Sequence, residues 1–416
     1  MHIVEIVVAI SIFLIGLCAL EYYTRNSRLP YVCWVVLMGL GYGMLSRDLI
    51  PTLPPLEKLL SPDIVLYVFL PLLIFDSSRK LEMKESKEVV LPSFLLATLG
   101  IVLNMFIMGG IIYGIATLVH AKIGWMDILL LSAIMSATDP VAVGTVFQVF
   151  PIPKKLKMLI EGESLLNDGT TVILFMLLSK IVLEHQPFHL ISAVGSFAIA
   201  ILGALLIGII FAGIGSFLLY QWKALDDRFI APMIPILFTY LSFVLAQAQF
   251  DISGVVAAMT TTLTFRILYR RMRPDEKPSK ISQERYLGLW DFLGDIANVF
   301  LFFILGVEMG ILFGQIAHWV ILSGILALVI ARATTVYTFG ALFRPTKMRL
   351  PMPWQHVMNI GGLRGALCAA LVLLIPHDYP FRTAFLSAAL GMSLFTLIIN
   401  PLVMRAYLKH TNLDKK

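Results

Sequence analysis

Acidic, basic and hydroxyl side chains occur in the middle of strongly apolar runs of this sequence. The run from about 125 to 150 carries Thr138, Asp139 and Pro140 at its midpoint. An ionised carboxylate in hydrocarbon costs at least about 2.5 kcal/mol, and a proline inside a helix leaves backbone groups unpaired. Freed carbonyls and carboxylates are oxygen ligands for hard cations. We therefore expect this segment to line a cavity inside the protein, where such groups are tolerated.

The apolar run 156–183 contains a second group of oxygen ligands. Glu163 and Asn167 are four residues apart, as are Ser164 and Asp168. Residues with this spacing lie on the same side of a helix, so two neighbouring stripes present polar groups. At 1.5 Å per residue, Asp168 lies about 18 Å from the start of the run, close to the bilayer centre.

Two arginines, Arg332 and Arg364, fall near the midpoints of later apolar runs. Together with Asp139, Glu163 and Asp168 they place three acids and two bases at one depth. Opposite charges at that depth can pair, which limits the desolvation penalty. An ion pair between Arg332 and Glu163 is predicted. Structural salt bridges bracing a helical bundle are the alternative reading of the whole set.

The composition indicates an all-α polytopic membrane protein. Of its 416 residues 58% are apolar and 14% charged, with a mean hydropathy of +0.87, whereas soluble domains are about 25% charged. About thirteen transmembrane helices are predicted, near 3–21, 30–46, 63–77, 89–119, 126–149, 156–183, 189–221, 228–248, 252–269, 286–313, 317–343, 354–376 and 382–408. The long fourth and seventh runs could each hide a re-entrant hairpin.

The charges in the loops predict how the chain is oriented. With the N-terminus outside and the C-terminus inside, most of the 32 lysines and arginines fall in cytoplasmic loops, as the positive-inside rule requires. Arg382 is among the few assigned to outer loops, and Asp76 is assigned to a cytoplasmic helix end that water can reach. Asp291, Asp295 and Glu308, toward the ends of span ten, are left without an assigned role.

Span twelve contains NIGGLRGALCAAL, in which glycines flank Arg364 and weaken the helix at mid-membrane. Spans five and twelve run in opposite directions, as an inverted repeat of spans four to six and eleven to thirteen would require. Two broken helices crossing at the midplane bring half-helix ends together. The N-terminal end of a half-helix attracts a carboxylate and the C-terminal end attracts a cation. The negative charge of Asp139 and the positive charge of Arg364 are therefore suited to such ends.

The motifs SATDPVAV, EGESLLNDG and GGLRGA, with the arginine of span eleven, resemble those of the sodium/proton exchanger family, cation:proton antiporter subfamily one, bacterial NhaP-type. The resemblance implies a secondary transporter, not an enzyme, in the bacterial inner membrane. It also implies a homodimer with a moving core beside a dimerisation scaffold. The corresponding division is scaffold at 1–87, core at 88–185, linker and scaffold at 186–313, and core at 314–416.

The resemblance also implies roles for the polar residues. The cation and proton site, binding Na⁺ with Li⁺ or K⁺ as alternatives, is carried over to Thr138, Asp139, Glu163, Ser164 and Asp168. The supporting residues are Asn167, Arg332 and Arg364. Exchange is expected to be electroneutral because Asn167 stands where electrogenic relatives carry a second aspartate. FDSSRKL at 75–81 departs from the Glu-Ala-Ala pattern of many relatives.

Two other function classes remain to be weighed. An intramembrane aspartyl protease would use two membrane aspartates as an acid/base pair, but the YD and GxGD motifs of such enzymes do not flank Asp139 or Asp168. A cation channel would need a continuous pore or a repeated filter. The expected partners are a monovalent cation, a proton and membrane lipid. No cofactor is expected and no nucleic acid, since no basic stripe on a soluble domain is present.

Overall fold

The computed structural model of the chain is helical throughout its described part. It describes residues 3–24, 27, 31–48, 62–80, 87–139, 147, 152–187, 190–225, 227, 229–272, 280–315, 318–346 and 348–411. Within those ranges there is no β-strand, which confirms the all-α prediction. Pro140 and most of the second half of span five lie outside the described residues.

Fourteen helices are present in the described ranges, and three of them include a π-helical turn. They are α1 (Ile3–Thr24), α2 (Tyr31–Asp48), α3 (Pro62–Ile64, π turn Val65–Phe69, Leu70–Lys80), α4 (Lys87–Leu95, π turn Leu96–Gly100, Ile101–Leu118), α5 (Trp125–Ile134), α6 (Lys154–Val182), α7 (Leu190–Gln221), α8 (Ile230–Val244, π turn Leu245–Gln249), α9 (Gly254–Met272), α10 (Lys280–Ile311), α11 (His318–Phe343), α12 (Met352–Ile360), α13 (Ala366–Leu373) and α14 (Arg382–Thr411).

Seven of the described helices are long and apolar enough to cross a membrane: α4, α6, α7, α8, α10, α11 and α14. The chain is therefore a multi-pass membrane protein. The fourth and seventh apolar runs each form one helix, α4 and α7, so neither hides a re-entrant hairpin. The total of thirteen spans and the orientation with the N-terminus outside stay predictions.

The chain divides into two compact units. The first comprises Met1–Val65, Glu85–Asn167 and Val299–Lys416, and the second comprises Leu66–Lys84 and Asp168–Asn298. In the first unit α4 packs on α5 and α11, and α11 packs on α12 and α14. In the second unit α7, α8 and α9 pack on one another, and α3 packs on α8 and α9. The four-part division into core and scaffold stays a prediction.

Helices α2 and α10 approach each other closely through glycines in the first unit. A Cβ atom added to Gly39 would lie 2.1 Å from the Phe303 carbonyl oxygen, and one added to Gly43 would lie 2.2 Å from that of Val307. A Cβ atom added to Gly310 on α10 would lie 2.3 Å from the Leu40 carbonyl oxygen. Small residues permit this contact because helix association in a membrane depends on van der Waals packing rather than on a hydrophobic driving force.

The second unit contains a network of charged side chains that joins α3 to α10. Arg79 donates to Asp76 at 2.5 Å and to Asp291 at 2.6 Å, while Lys80 lies 2.6 Å from the second oxygen of Asp76. Asp76 is 7% exposed. The expectation that its carboxylate reaches water is therefore wrong, because two basic side chains of its own helix enclose and neutralise it.

An ion pair in the first unit corrects the assignment of Arg382 to an outer loop. Arg382 begins α14, is buried, and donates to the Glu308 carboxylate of α10 at 3.0 Å. Its Nε also donates to the Ile375 carbonyl oxygen at 3.2 Å. Glu308 is buried too. The two charges neutralise each other, which is the condition under which buried charges are tolerated.

Candidate cation site

Two breaks in helical structure stand where the sequence predicts them. Helix α5 ends at Ile134, and residues 137–139 are not helical. Helices α12 and α13 are separated by Gly361–Gly365, of which Gly362 onward has no regular structure. The glycines permit the second break because they carry no side chain to stabilise a helix. The predicted interruption of span twelve is therefore present, and α5 ends just before the position predicted for the break in span five.

The two breaks contact each other directly. The Asp139 amide donates to the Leu363 carbonyl oxygen at 2.9 Å. Arg364, fully buried, donates from Nη1 to the carbonyl oxygens of Ser136 at 3.0 Å and Ala137 at 2.8 Å. The last carbonyls of a helix lack intrahelical partners and carry partial negative charge. Ser136 and Ala137 come shortly after α5, so the guanidinium of Arg364 binds carbonyl oxygens just beyond the C-terminal end of that helix.

The Asp139 carboxylate lies at the opposite kind of helix end. Gly365 immediately precedes α13, and a Cβ atom added to Gly365 would lie 2.2 Å from Asp139 Oδ2. The first amides of a helix carry partial positive charge, which favours a carboxylate. The predicted signs of Asp139 and Arg364 thus match the half-helix ends that each one approaches.

Replacing Gly365 with alanine is expected to destabilise the protein strongly. The new Cβ would also lie 2.3 Å from the Asp139 Cβ, so the backbone at one break would have to move, at a cost of about 1–3 kcal/mol. The measurement is the melting temperature of the purified protein. Gly110→Ala is the control, because a Cβ atom added to Gly110 would meet no other residue within 4 Å; an equal loss in both variants would contradict the close packing.

Helix α6 presents hydroxyl and amide groups to the first break. Asn167 Nδ2 donates to Thr138 Oγ1 at 2.5 Å, and the Thr138 amide approaches Asn167 Oδ1 at 3.4 Å. The Ser164 hydroxyl donates to the Thr138 carbonyl oxygen. Thr138, Ser164 and Asn167 are all buried. Three of the predicted polar residues therefore form one hydrogen-bonded group between α5 and α6.

Glu163 and Arg332 form the predicted ion pair. Arg332 Nη1 lies 2.5 Å from Glu163 Oε1 and Nη2 lies 2.9 Å from Oε2, a bidentate arrangement. Nη2 also donates to the Met358 carbonyl oxygen of α12 at 3.0 Å. Both side chains are buried. Glu163 lies on α6, Arg332 on α11 and Met358 on α12, so these contacts join the three helices.

Removing Arg332 alone is expected to destabilise the protein more than removing both charges together. An isolated buried carboxylate is left without compensation, which costs about 3–5 kcal/mol, whereas an apolar replacement of the whole pair is often tolerated. The test is a double-mutant cycle of Arg332→Met and Glu163→Gln followed by thermal unfolding. Additive losses in melting temperature would contradict the pairing.

The exposed pair of Lys180 and Asp251 provides a matched control for that cycle. The side chain of Asp251 is 66% exposed and that of Lys180 is 33% exposed. Exposed ion pairs contribute about 0–1 kcal/mol because water screens the charges. Lys180→Met and Asp251→Asn should therefore be nearly additive.

The structure brings together seven of the eight predicted residues around the two breaks. Asp168 follows Asn167 on α6 and is half-buried, and the division between the two compact units falls between these two residues. The membership of Asp168 in the site rests on its position four residues after Ser164, and stays a prediction. Among the described residues no group of three or more acidic, histidine or cysteine side chains has metal-binding geometry.

Two contacts of the site were not predicted from the sequence. The Arg364 amide donates to Thr396 Oγ1 of α14 at 3.1 Å, and Asn104 Nδ2 of α4 donates to Ser136 Oγ at 3.1 Å. Asn104 is a lone amide inside a long apolar run, which is a usable signal of a buried polar contact. Thr396 gives no such signal, because a threonine in a transmembrane helix commonly bonds to its own backbone.

A comparison with known families identifies the chain. A sequence model of the family described as "Sodium/hydrogen exchanger, transmembrane" matches residues 9–410. The chain belongs to this family. Its members are transporters, and the resemblance inferred from the motifs at the two helix breaks is confirmed.

Relatives of known name agree with the sodium/hydrogen exchanger assignment. The Na⁺/H⁺ antiporter NhaG of Bacillus atrophaeus is 28% identical over 421 residues, covering 100% of this chain and 76% of NhaG. The Na⁺/H⁺ antiporter ApNhaP of Aphanothece halophytica is 29% identical over 412 residues, covering 98% of this chain and 74% of ApNhaP.

A solved structure has the same fold. The sodium proton antiporter MjNhaP1 from Methanocaldococcus jannaschii, determined at pH 8, superposes with a TM-score of 0.74 and 17% identity. The match covers 98% of this chain and 99% of MjNhaP1. At this identity the likeness concerns the fold, so the exchanger family and the antiporter fold are established by two separate comparisons.

Proposed function

We propose that this chain is a secondary active transporter that exchanges Na⁺ for H⁺ across a membrane, with Li⁺ or K⁺ as alternative cations. The observation that supports this most is the contact of the two helix breaks through the Asp139 amide and the Leu363 carbonyl oxygen, together with the hydrogen bond from Asn167 of α6 to Thr138. The named relatives NhaG and ApNhaP, both Na⁺/H⁺ antiporters, point the same way.

The proposed cation ligands are oxygen atoms of Asp168, Asp139, Thr138, Ser164 and Glu163. Asn167, Arg332 and Arg364 support them. Asn167 holds Thr138 through its amide, and Arg364 fixes the first break through two carbonyl oxygens. Arg332 engages Glu163 on both oxygens, so Glu163 would bind the cation only by giving up part of this ion pair.

The mechanism follows from competition for one carboxylate. A proton and a cation each neutralise Asp168, and an uncompensated charge in hydrocarbon is costly. If only the neutralised site can pass between the inward-open and outward-open states, the proton and the cation must travel in opposite directions. One-for-one exchange then moves no net charge, as Asn167 in place of a second aspartate implies.

The setting of this activity is also part of the proposal. We place the protein in the bacterial inner membrane as a homodimer, with a moving core beside a scaffold that holds the two protomers together. Chemical cross-linking in native membranes, followed by mass determination, measures the dimer directly. A purely monomeric population would contradict the proposed homodimer but not the proposed exchange of Na⁺ for H⁺.

Proton flux in proteoliposomes tests the function. Each chloride salt of Na⁺, Li⁺ and K⁺ is added in turn while the membrane voltage is clamped. Cation-dependent proton movement without dependence on voltage is the expected result. Absence of proton movement with every cation would contradict the proposal, and single-channel current steps in a planar bilayer would favour the channel instead. The aspartyl protease has no support from the family match.

A further inference from the structure

We propose that the first compact unit binds the headgroup of an anionic phospholipid in a cavity where α4, α6 and α12 begin. This cavity has a volume of about 140 Å³, well above the roughly 15 Å³ that holds one water molecule. None of its lining residues belongs to the two helix breaks, and nothing in the proposed exchange requires it. The proposal therefore stands or falls independently of the transport function.

The walls of the cavity combine positive charge with an apolar floor. The two ionisable side chains among its described lining residues, Lys155 and Arg349, are both basic and both exposed. Val89 and Leu159 form the floor and belong to a buried hydrophobic cluster, against which Trp354 packs. Basic pockets between transmembrane helices bind anionic lipid headgroups, and tryptophan is enriched at the level of the headgroups.

The position of the cavity along the helices fits a membrane surface. Helices α4 and α6 are both long enough to cross a membrane, and the cavity is lined by the first turns of each. The first turn of α12 completes the same end. The distribution of lysine and arginine in the loops predicts that this end faces the cytoplasm, where the anionic lipids of the inner leaflet are found.

The exposed face of α4 provides a place for the lipid tails. Val90, Leu91 and Phe94 follow Val89 along the helix and are 60%, 44% and 48% exposed. These residues lead from the cavity toward the membrane interior. The phosphate of an anionic phospholipid can thus contact the basic side chains while its acyl chains contact the apolar face of α4. Free phosphate would contact only the basic side chains.

Native mass spectrometry of the full-length protein tests the proposal. The protein is presented with phosphatidylglycerol and phosphatidylcholine that carry identical acyl chains. Wild type is expected to retain phosphatidylglycerol preferentially. Lys155→Gln with Arg349→Gln should weaken phosphatidylglycerol binding about twenty-five-fold, roughly fivefold for each basic side chain near an anionic headgroup. Lys155→Arg with Arg349→Lys keeps both charges and should keep the preference.

A matched control separates the cavity from general surface charge. Arg405→Gln with Lys409→Gln removes the same charge from exposed positions on α14 that do not line the cavity, and should leave the lipid preference unchanged. Equal losses in the two double variants would overturn the proposal. Wild type without any preference would overturn it whatever the variants do. Displacement of the lipid by an equal concentration of inorganic phosphate would identify a free-anion site instead.

Discussion

Asp168→Asn is expected to abolish exchange of Na⁺ for H⁺ while leaving the protein folded. Asparagine has nearly the same shape as aspartate but cannot ionise, so it can neither hold a proton for exchange nor neutralise a bound cation. The measurement is cation-dependent proton flux in proteoliposomes, with the melting temperature of the purified variant as the test of folding. Residual flux at more than a few per cent of wild type in a folded variant would contradict the central role of Asp168.

The chain offers a control for this substitution. Asp251 lies between α8 and α9, its side chain is 66% exposed, and it contacts Lys180. Asp251→Asn makes the same chemical change at a surface position and should keep exchange near the wild-type rate. The exchange rate of Asp139→Asn should lie between the rates of the other two variants. This substitution removes the charge at the start of α13 but leaves the backbone contact with Leu363.

The apparent KM for the cation is expected to rise about tenfold for each pH unit of acidification, once protons occupy most of the sites. A tenfold higher proton concentration strengthens the competitor by about 1.36 kcal/mol, which is one decade in apparent affinity. The maximum rate at saturating cation should change far less over the same range, because enough cation displaces the proton. The measurement is initial flux against cation concentration at several pH values, with voltage clamped.

Two results would change the competition mechanism in different ways. A constant KM with a collapsing maximum rate on the acidic side would point to a separate regulatory proton site and contradict competition at Asp168. Flux that depends on the clamped voltage would leave competition in place but remove the electroneutral stoichiometry inferred from Asn167. The two measurements are independent, so each part of the mechanism can fail alone.

The sequence by itself determined the class of the protein and most of its candidate site. Charged residues inside apolar runs are costly enough to be informative, and they identified Asp139, Glu163, Arg332 and Arg364 without any knowledge of contacts. Glycine and proline predicted the positions of both helix breaks, because these residues weaken a helix through its backbone. The opposite signs of Glu163 and Arg332 were sufficient to predict their ion pair.

Only the tertiary structure decided which polar groups meet. Sequence spacing grouped Ser164 with Asp168 and Glu163 with Asn167, yet Ser164 and Asn167 both contact Thr138. Helical periodicity fixes the direction of a side chain around its own axis but not the neighbour it faces. That neighbour depends on how α5, α6 and α11 pack.

The misassigned charges have the same physical explanation. Arg382 and Asp76 lie near the ends of apolar runs, where a sequence pattern cannot distinguish a residue in water from one buried beside an opposite charge. Glu308 and Arg382 are separated by 74 positions, and Arg79 and Asp291 by 212. A contact over such a distance in sequence depends on how the helices pack. Packing buries Arg382 and Glu308 as a pair, whereas Asp76 is enclosed by Arg79 and Lys80 of its own helix and Asp291 stays 45% exposed.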